Sequence, residues 1–196
     1  IASQDIANIV RTEVLPLKPD LVVYYEGGNQ FELRTVVPEM PQGKPVRQNT
    51  GANLAPGWLR ELSRYSALAG RVQAAMGLAS SDLDGREWPK PDYKLVWPEG
   101  LDEQDPDLNY PKLPIHLDQI QRDLDQIRGD LAGIGAEFAL SSFIWMVRDG
   151  MVVNPMARGG ILDQLNTMYY PFRYRDMERM AKFQNRFFAK YARVHS

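Results

Sequence analysis

The chain has 196 residues, of which 44% are hydrophobic and 24% charged, values that sit at the averages for a globular domain and exclude disordered and collagen-like classes. A formal net charge of −2 argues against a protein that works by neutralising phosphates, so nucleic acid is not an expected partner. With no cysteine, disulfides, thiolate zinc sites, iron–sulfur clusters and a cysteine nucleophile are all excluded.

Ser3 is placed to cap a first helix whose apolar positions Ile6, Ile9, Val10 and Val14 recur at helical spacing until Pro16 and Pro19 stop it. A strand is predicted next. Leu21-Val22-Val23-Tyr24-Tyr25 is a continuous run of β-branched and aromatic residues, the pattern of a strand buried on both faces of a parallel sheet. Glu26-Gly27-Gly28-Asn29-Gln30 follows it directly.

Residues 38–114 are of different composition, holding ten of the fourteen prolines and three of the four tryptophans. Proline is incompatible with central strands and helix interiors, so this segment reads as an insertion, either a lid or binding surface or a solvated irregular excursion. One helix is expected within it, from about Trp58 to Met76, with Leu59, Leu62, Tyr65, Ala69, Val72 and Met76 along one face. Between Asp82 and Asp107, nine acidic residues stand against Arg86, Lys90 and Lys94. Trp58, Trp88 and Trp97 are candidates for an aromatic wall over a cleft, or for pins that hold the insertion to the sheet.

The α/β pattern then resumes. Leu117, Ile120, Leu124, Ile127 and Leu131 follow a 3-4-3-4 spacing, and Gly133 and Gly135 end that helix. Ala136 to Trp145 reads as a second strand, Arg148 to Asn166 as a loop, and Tyr174 to Val194 as a last helix burying Met177, Met180, Ala181, Phe187, Phe188 and Tyr191. That helix carries seven basic residues between Arg173 and Arg193 against Asp176 and Glu178, either a solvated face or a surface for an acidic partner. The longest uncharged and mainly apolar run, Phe138 to Val147, is roughly half the ~20 residues of a membrane-spanning helix, so no span is expected. Two strands are fewer than the ~3 an independent sheet needs. The expected architecture is therefore a three-layer α/β/α sandwich with a mainly parallel sheet of flavodoxin-like type, one domain over residues 1–196 that enters and leaves a larger fold midway.

Ligands of open α/β sheets bind beyond the carboxyl ends of the strands, which points to the residues after Tyr25 and after Trp145. Glycines there let a substrate approach the backbone, and an asparagine amide is a neutral donor for a developing oxyanion. The segment Leu17-Lys18-Pro19-Asp20-Leu21-Val22-Val23-Tyr24-Tyr25-Glu26-Gly27-Gly28-Asn29 resembles the third conserved block of the SGNH (GDSL-like) hydrolases, in which a Gly-x-Asn-Asp motif closes a parallel strand. Ser3-Gln4-Asp5 leading into a helix, the helix from Ile115 to Leu131, the strand opened by Gly135-Ala136-Glu137-Phe138 and a late helix with Phe183-Gln184-Asn185 are similar to that family's order of elements.

The resemblance implies a serine hydrolase acting on an ester, such as an acyl group on a carbohydrate or lipid. Asn29 would donate to the oxyanion and Gly27 would provide the tight turn, while Gly28, Glu26, Gln30, Trp88 and Trp97 would line the substrate side. No cofactor and no metal are implied. The departures are as informative: Gln30 replaces the family's usual aspartate, and neither its serine block nor its Asp-x-x-His block occurs in residues 1–196. A serine without a base within hydrogen-bond reach is not activated at neutral pH, so the triad is expected outside this stretch. A binding module that has lost the triad and an acyltransferase on the same scaffold are the alternatives. Ser141 and Ser142 lack a glycine elbow and read as strand residues; His116 and His195 read as surface histidines. Asp105-x-Asp107-x-Asn109 starts like a calcium loop, but Tyr110 stands where that loop needs glycine and His116 where it needs glutamate.

Overall fold

A computed structural model of the chain describes residues 2–26, 32–43, 56, 58–59, 62, 65–76, 87–152 and 161–195. The regular elements in chain order are α1 (Ser3–Ile9), β1 (Leu21–Tyr24), α2 (Ala67–Ala75), α3 (Leu117–Ala132), β2 (Glu137–Leu140), α4 (Ile161–Met168) and α5 (Tyr174–His195). Two compact units result: Ile1–Met40 with Tyr93–Trp145 and Arg179–Ser196, and Pro41–Asp92 with Met146–Glu178. The Pro/Trp-rich insertion is thus not one body, since residues 41–92 belong to the second unit and 93–114 to the first.

In the first unit the fold is α/β, with β1 and β2 paired in parallel from Leu21↔Glu137 to Tyr24↔Leu140. Bonds from Glu137 N–H to the Asp20 carbonyl (2.8 Å) and from Ser141 N–H to the Tyr24 carbonyl (2.9 Å) extend the ladder at both ends. Parallel strands cannot be joined by a tight turn, so a long crossover, here including α3, must return the chain to the same starting edge.

The periodicity of α3 is realised in full: Leu117, Ile120, Leu124, Ile127 and Leu131 are all buried. They meet a core supplied by Ala7 and Val10 from the α1 region and by Met180, Phe183, Phe187, Phe188 and Tyr191 of α5. Burying such a side chain contributes about 1.5–3 kcal/mol, which is why these three amphipathic segments hold together although α1 lies more than one hundred residues from α3 in the sequence. Polar ties reinforce the packing: Tyr191 donates to Asp125 of α3 at 2.7 Å, and Arg11 pairs with Asp130 at 3.1 Å.

Several expectations are corrected. Ala2, not Ser3, is the N-cap of α1, and the Asp5 carboxylate accepts the Ala2 N–H at 2.8 Å; Ser3 is the first helical residue and is buried. Beyond Ile9 the helix widens into a π turn (Val10–Val14) and tightens into a 3₁₀ turn at Leu15–Leu17, because Pro16 cannot donate back. β1 is not buried on both faces. Tyr24 is buried, whereas Leu21, Val23 and Tyr25 are 50%, 59% and 59% exposed. β2 is shorter than the span 136–145, leaving the ladder after Leu140.

The return from the insertion is anchored by Val96 N–H to the Val36 carbonyl (2.7 Å) and Ile115 N–H to Thr35 Oγ1 (2.8 Å). Ile115 and His116 both adopt left-handed backbone (φ 53° and 58°), which a β-branched residue accepts only when its surroundings over-determine it. Burial of Ile115 and the bond from its N–H meet that condition.

The acidic insertion and the basic helix neutralise one another within this unit. Glu103 accepts both the Nε–H (2.8 Å) and the Nη2–H of Arg179, its backbone carbonyl accepts from Arg186 (3.3 Å), and Asp105 pairs with Lys190 (2.8 Å). Trp97 lies edge-on to Phe183 (4.8 Å) under the Arg179 guanidinium, and its indole N–H donates to the Leu101 carbonyl (2.9 Å). Trp97 therefore pins this segment to α5.

In the second unit α4 occupies part of the span expected as loop, its Leu162 and Leu165 buried. Eight residues are too few for periodicity to announce. The helix expected at 58–76 is described over Ala67–Ala75, and several of its neighbours lie outside the described residues. Of the face expected to be inward, Leu59 is buried but Leu62, Tyr65, Val72 and Met76 are exposed. Asn166 is fully buried and organises the unit: its Oδ1 accepts from the Trp88 backbone N–H (2.9 Å) and the Tyr174 hydroxyl (2.8 Å), and its carbonyl from Lys90 (3.4 Å). Glu87 accepts the Tyr174 N–H (2.7 Å) at the start of α5, and its burial outweighs that bond, raising its pKa.

A two-sided, partly buried Arg–carboxylate contact is the strongest of these charge pairs. A double-mutant cycle of Arg179→Met and Glu103→Gln is expected to give a coupling of about 1 kcal/mol in low salt, falling as ionic strength rises. Urea unfolding of the four proteins at low and high sodium chloride checks it.

Candidate functional site at the carboxyl ends of the strands

Parallel pairing sends both strands out at the same edge of the first unit. Tyr24, Tyr25 and Glu26 leave β1 there, and Ser141, Ser142 and Phe143 leave β2. Gly27, Gly28, Asn29 and Gln30 lie outside the described residues. Glu26, the last described residue before them, is 6% exposed and accepts a hydrogen bond from the Tyr24 hydroxyl to its Oε2 at 3.3 Å.

Tyr24 is held in place by edge-on contacts with Phe138 of β2 (6.4 Å) and Phe188 of α5 (6.3 Å). Asp123 of α3, also 6% exposed, accepts from the Ser3 hydroxyl through Oδ2 and from Gln119 Nε2 at 3.1 Å through Oδ1. Burial first, then the charge of Glu26 and its hydrogen bond, then the charge of Asp123 push the Tyr24 hydroxyl far above the usual tyrosine range. The neutral hydroxyl, which donates to Glu26, is thereby favoured over the phenolate. Ser3, Asp123, Tyr24 and Glu26 form a buried polar patch shared by α1, α3 and the end of β1.

On the exposed side, Tyr25 and Phe143 stack at a 34° tilt with centroids 5.7 Å apart, and Phe143 meets Trp145 edge-on at 5.3 Å. The Asn185 side chain fixes this row. Its Oδ1 accepts the Phe143 N–H (2.8 Å) and its amide donates to the Phe143 carbonyl (2.9 Å), as a neighbouring strand would. Neither Asn185 nor the row was visible as a site in the sequence; the one signal was the alternation Phe143-x-Trp145.

Of the tryptophans expected on the substrate side, Trp97 is packed on α5 in the first unit and Trp88 belongs to the second, to which the exposed Trp58 also belongs. Ser141 donates only to the Ser142 carbonyl at 3.4 Å among its described side-chain bonds, and His195 lies against the Tyr191 ring (4.4 Å). Asp107 accepts the Asn109 N–H (2.9 Å), an Asx turn in place of a calcium loop. Among the described residues no group of three or more histidine or acidic side chains could hold a metal ion, and no helix is long and apolar enough to cross a membrane.

No family model, curated protein or solved structure matches this chain.

Two measurements test this geometry. Asn185→Leu, which leaves the Phe143 amide and carbonyl without their partner, is expected to cost about 1–3 kcal/mol in urea unfolding, and Asn185→Asp, which keeps the acceptor alone, less. A neutral tyrosine whose folded pKa is raised contributes stability below its unfolded pKa of 10.0 and loses it above, because only the unfolded chain then ionises. Stability is thus expected to fall as pH rises beyond 10.0, less steeply in Tyr24→Phe than in wild type, as followed by the urea midpoint against pH.

Proposed function

We propose that residues 1–196 form part of an SGNH-type serine hydrolase that cleaves an ester, such as an acyl group on a carbohydrate or lipid. In this reading the sheet belongs to a three-layer α/β/α sandwich, Asn29 donates its side-chain amide to the oxyanion, Gly27 makes the tight turn, and the nucleophile, second donor and base lie outside these residues. The observation that supports it is the parallel pairing of β1 with β2, which brings the carboxyl ends of both strands, where α/β sheets bind their ligands, out at one edge; Gly27-x-Asn29 follows β1 in the sequence. The buried anchorage of Tyr24 and Glu26 at that exit and the clamped Phe143 row beside it support the same location.

Chemically, attack on an ester carbonyl places a full negative charge on oxygen only in the tetrahedral transition state and intermediate. A fixed neutral amide beside that oxygen stabilises the charge without binding the ground state more tightly, so its contribution appears in kcat. A carboxylate in its place would oppose the charge.

In the complete protein, Asn29→Ala is expected to lower kcat by about 10²–10³ with KM little changed, and Asn29→Asp to be at least as damaging. Stopped assays with a soluble acetyl ester, run beside melting temperatures for the alanine, aspartate and glycine variants, check this. Wild-type turnover in Asn29→Gly would remove Asn29 from the mechanism and make it a turn residue.

A further inference from the structure

We propose that the outward face of α2 and of the helical residues just before it docks on the surface of a bilayer that contains anionic phospholipid. The inference does not rest on the hydrolase reading, and its test needs no turnover.

Trp58, Leu59, Leu62 and Tyr65 are helical, and Ser66 separates them from α2, which it caps: its hydroxyl accepts the Ala69 N–H at 3.3 Å. Residues three and four apart share a side of a helix, so Leu68, Val72 and Met76 form one stripe, the last held on its turn by the bond from its N–H to the Val72 carbonyl (2.9 Å). Trp58, Leu62 and Tyr65 have the same spacing before the cap. All six side chains face water, with exposures from 45% at Val72 to 88% at Tyr65. What is covered instead is Leu59, with Ser66 and Ala69 half-buried, so small residues are sheltered and most of the large apolar ones are not. A helix packed only for its own fold turns the other way, since each large apolar side chain left in water forgoes most of its transfer free energy. Six such side chains in one short segment present apolar surface on the order of several hundred Å², the scale that marks a face for an outside partner.

Charge selects that partner. From Pro41 to Ser81 the sequence has Lys44, Arg47, Arg60, Arg64 and Arg71 against Glu61 alone, in a chain whose formal net charge is −2. Arg71 is exposed and lies beside Leu68 and Val72 on α2, where it forms no ion pair among the described residues. The acidic residues that follow are engaged elsewhere: Glu87 takes the Tyr174 N–H, and Asp92 pairs with Arg173. A second copy seated on this face would set like charges against each other. An anionic bilayer accommodates both features: the aliphatic side chains enter the acyl boundary, Trp58 and Tyr65 sit at headgroup depth, and arginine reaches phosphate. With nine residues, α2 lies in that surface and does not cross it.

The test sediments the 196-residue chain with vesicles of phosphatidylcholine alone and of phosphatidylcholine containing about 30% phosphatidylglycerol. Partition is expected to be at least about tenfold stronger on the mixed vesicles in low salt, and to weaken as sodium chloride rises. Tyr65→Gln with Leu68→Gln is expected to lower it at least about tenfold, and Arg71→Gln about fivefold. Val194→Gln, at an exposed apolar position of the first unit, is expected to leave it unchanged. Brominated acyl chains are expected to quench tryptophan emission in wild type and not in Trp58→Phe, which keeps the other three tryptophans. These positions are all exposed, so urea midpoints are expected to hold; Arg71→Glu serves if the double variant does not fold.

Equal partition on neutral and mixed vesicles, or none on mixed vesicles up to about 1 mM lipid, overturns the inference. So does partition that survives the double substitution, or quenching that persists in Trp58→Phe. A lipid-free dimer in sedimentation velocity that the double substitution dissolves also overturns it, and assigns the face to a second copy.

Discussion

The parallel register of β1 against β2 is the constraint on which the first unit depends. It covers only four residue pairs, yet it rules out a tight turn between the strands, which this chain joins by more than a hundred residues, and makes both leave at one edge. The helices that make the return, α3 above all, then have to bury their apolar stripes against something, and α1 and α5 supply it. Tyr24 is where these demands meet. Its backbone closes the ladder with Ser141, its ring joins Phe138 to Phe188, and its hydroxyl reaches Glu26.

Charge is distributed in the same spirit of internal pairing. Read from composition, the acidic stretch and the basic last helix are two separate surfaces, each open to a partner. In the folded chain Glu103 and Asp105 are taken up by Arg179, Arg186 and Lys190, while in the second unit Asp92 pairs with Arg173 at 2.9 Å. Exposed pairs of this kind contribute only about 0–1 kcal/mol each. Their value lies in register: a bidentate Arg–carboxylate contact over a half-buried tryptophan fixes where an irregular proline-rich segment settles, which propensity alone cannot do.

How much of this was legible follows from the range of each interaction. The stripe Leu117-Ile120-Leu124-Ile127-Leu131 and the long α5 repeat a local period many times, so the sequence announces both their type and their buried face. A strand of four residues repeats its period barely twice, and Leu21 and Val23 look as buried on paper as Val22 and Tyr24. Side-chain bonds across long separations leave no local trace at all. The partner of Ser3 is Asp123, and that of Phe143 is Asn185; capping statistics assign Ser3 a local role that it does not have, and the strand pattern around Phe143 says nothing of a partner on α5. The sequence pointed to the end of β1 as the place to look for a site, because strand ends in parallel sheets have a chemical meaning independent of contacts. The packing at that end was not legible, since Phe188 and Asn185, which meet Tyr24 and Phe143, come from far along the chain.

The placement of polar groups completes the argument. Cores are cheapest when apolar, and a domain built only for stability has no reason to bury Glu26, Asp123 and Ser3 around a tyrosine hydroxyl. Bonds from Ser3 to Asp123 and from Tyr24 to Glu26 offset part of the desolvation, but such an arrangement is no more stable than an apolar core of equal volume would be. What an apolar core cannot do is hold a chain exit in one direction, because dispersion contacts are non-directional and tolerate small rotations. A hydrogen bond of fixed donor and acceptor does not tolerate them. Here such fixed bonds join α1 to α3 through Ser3 and Asp123, and Tyr24 to Glu26 at the end of β1.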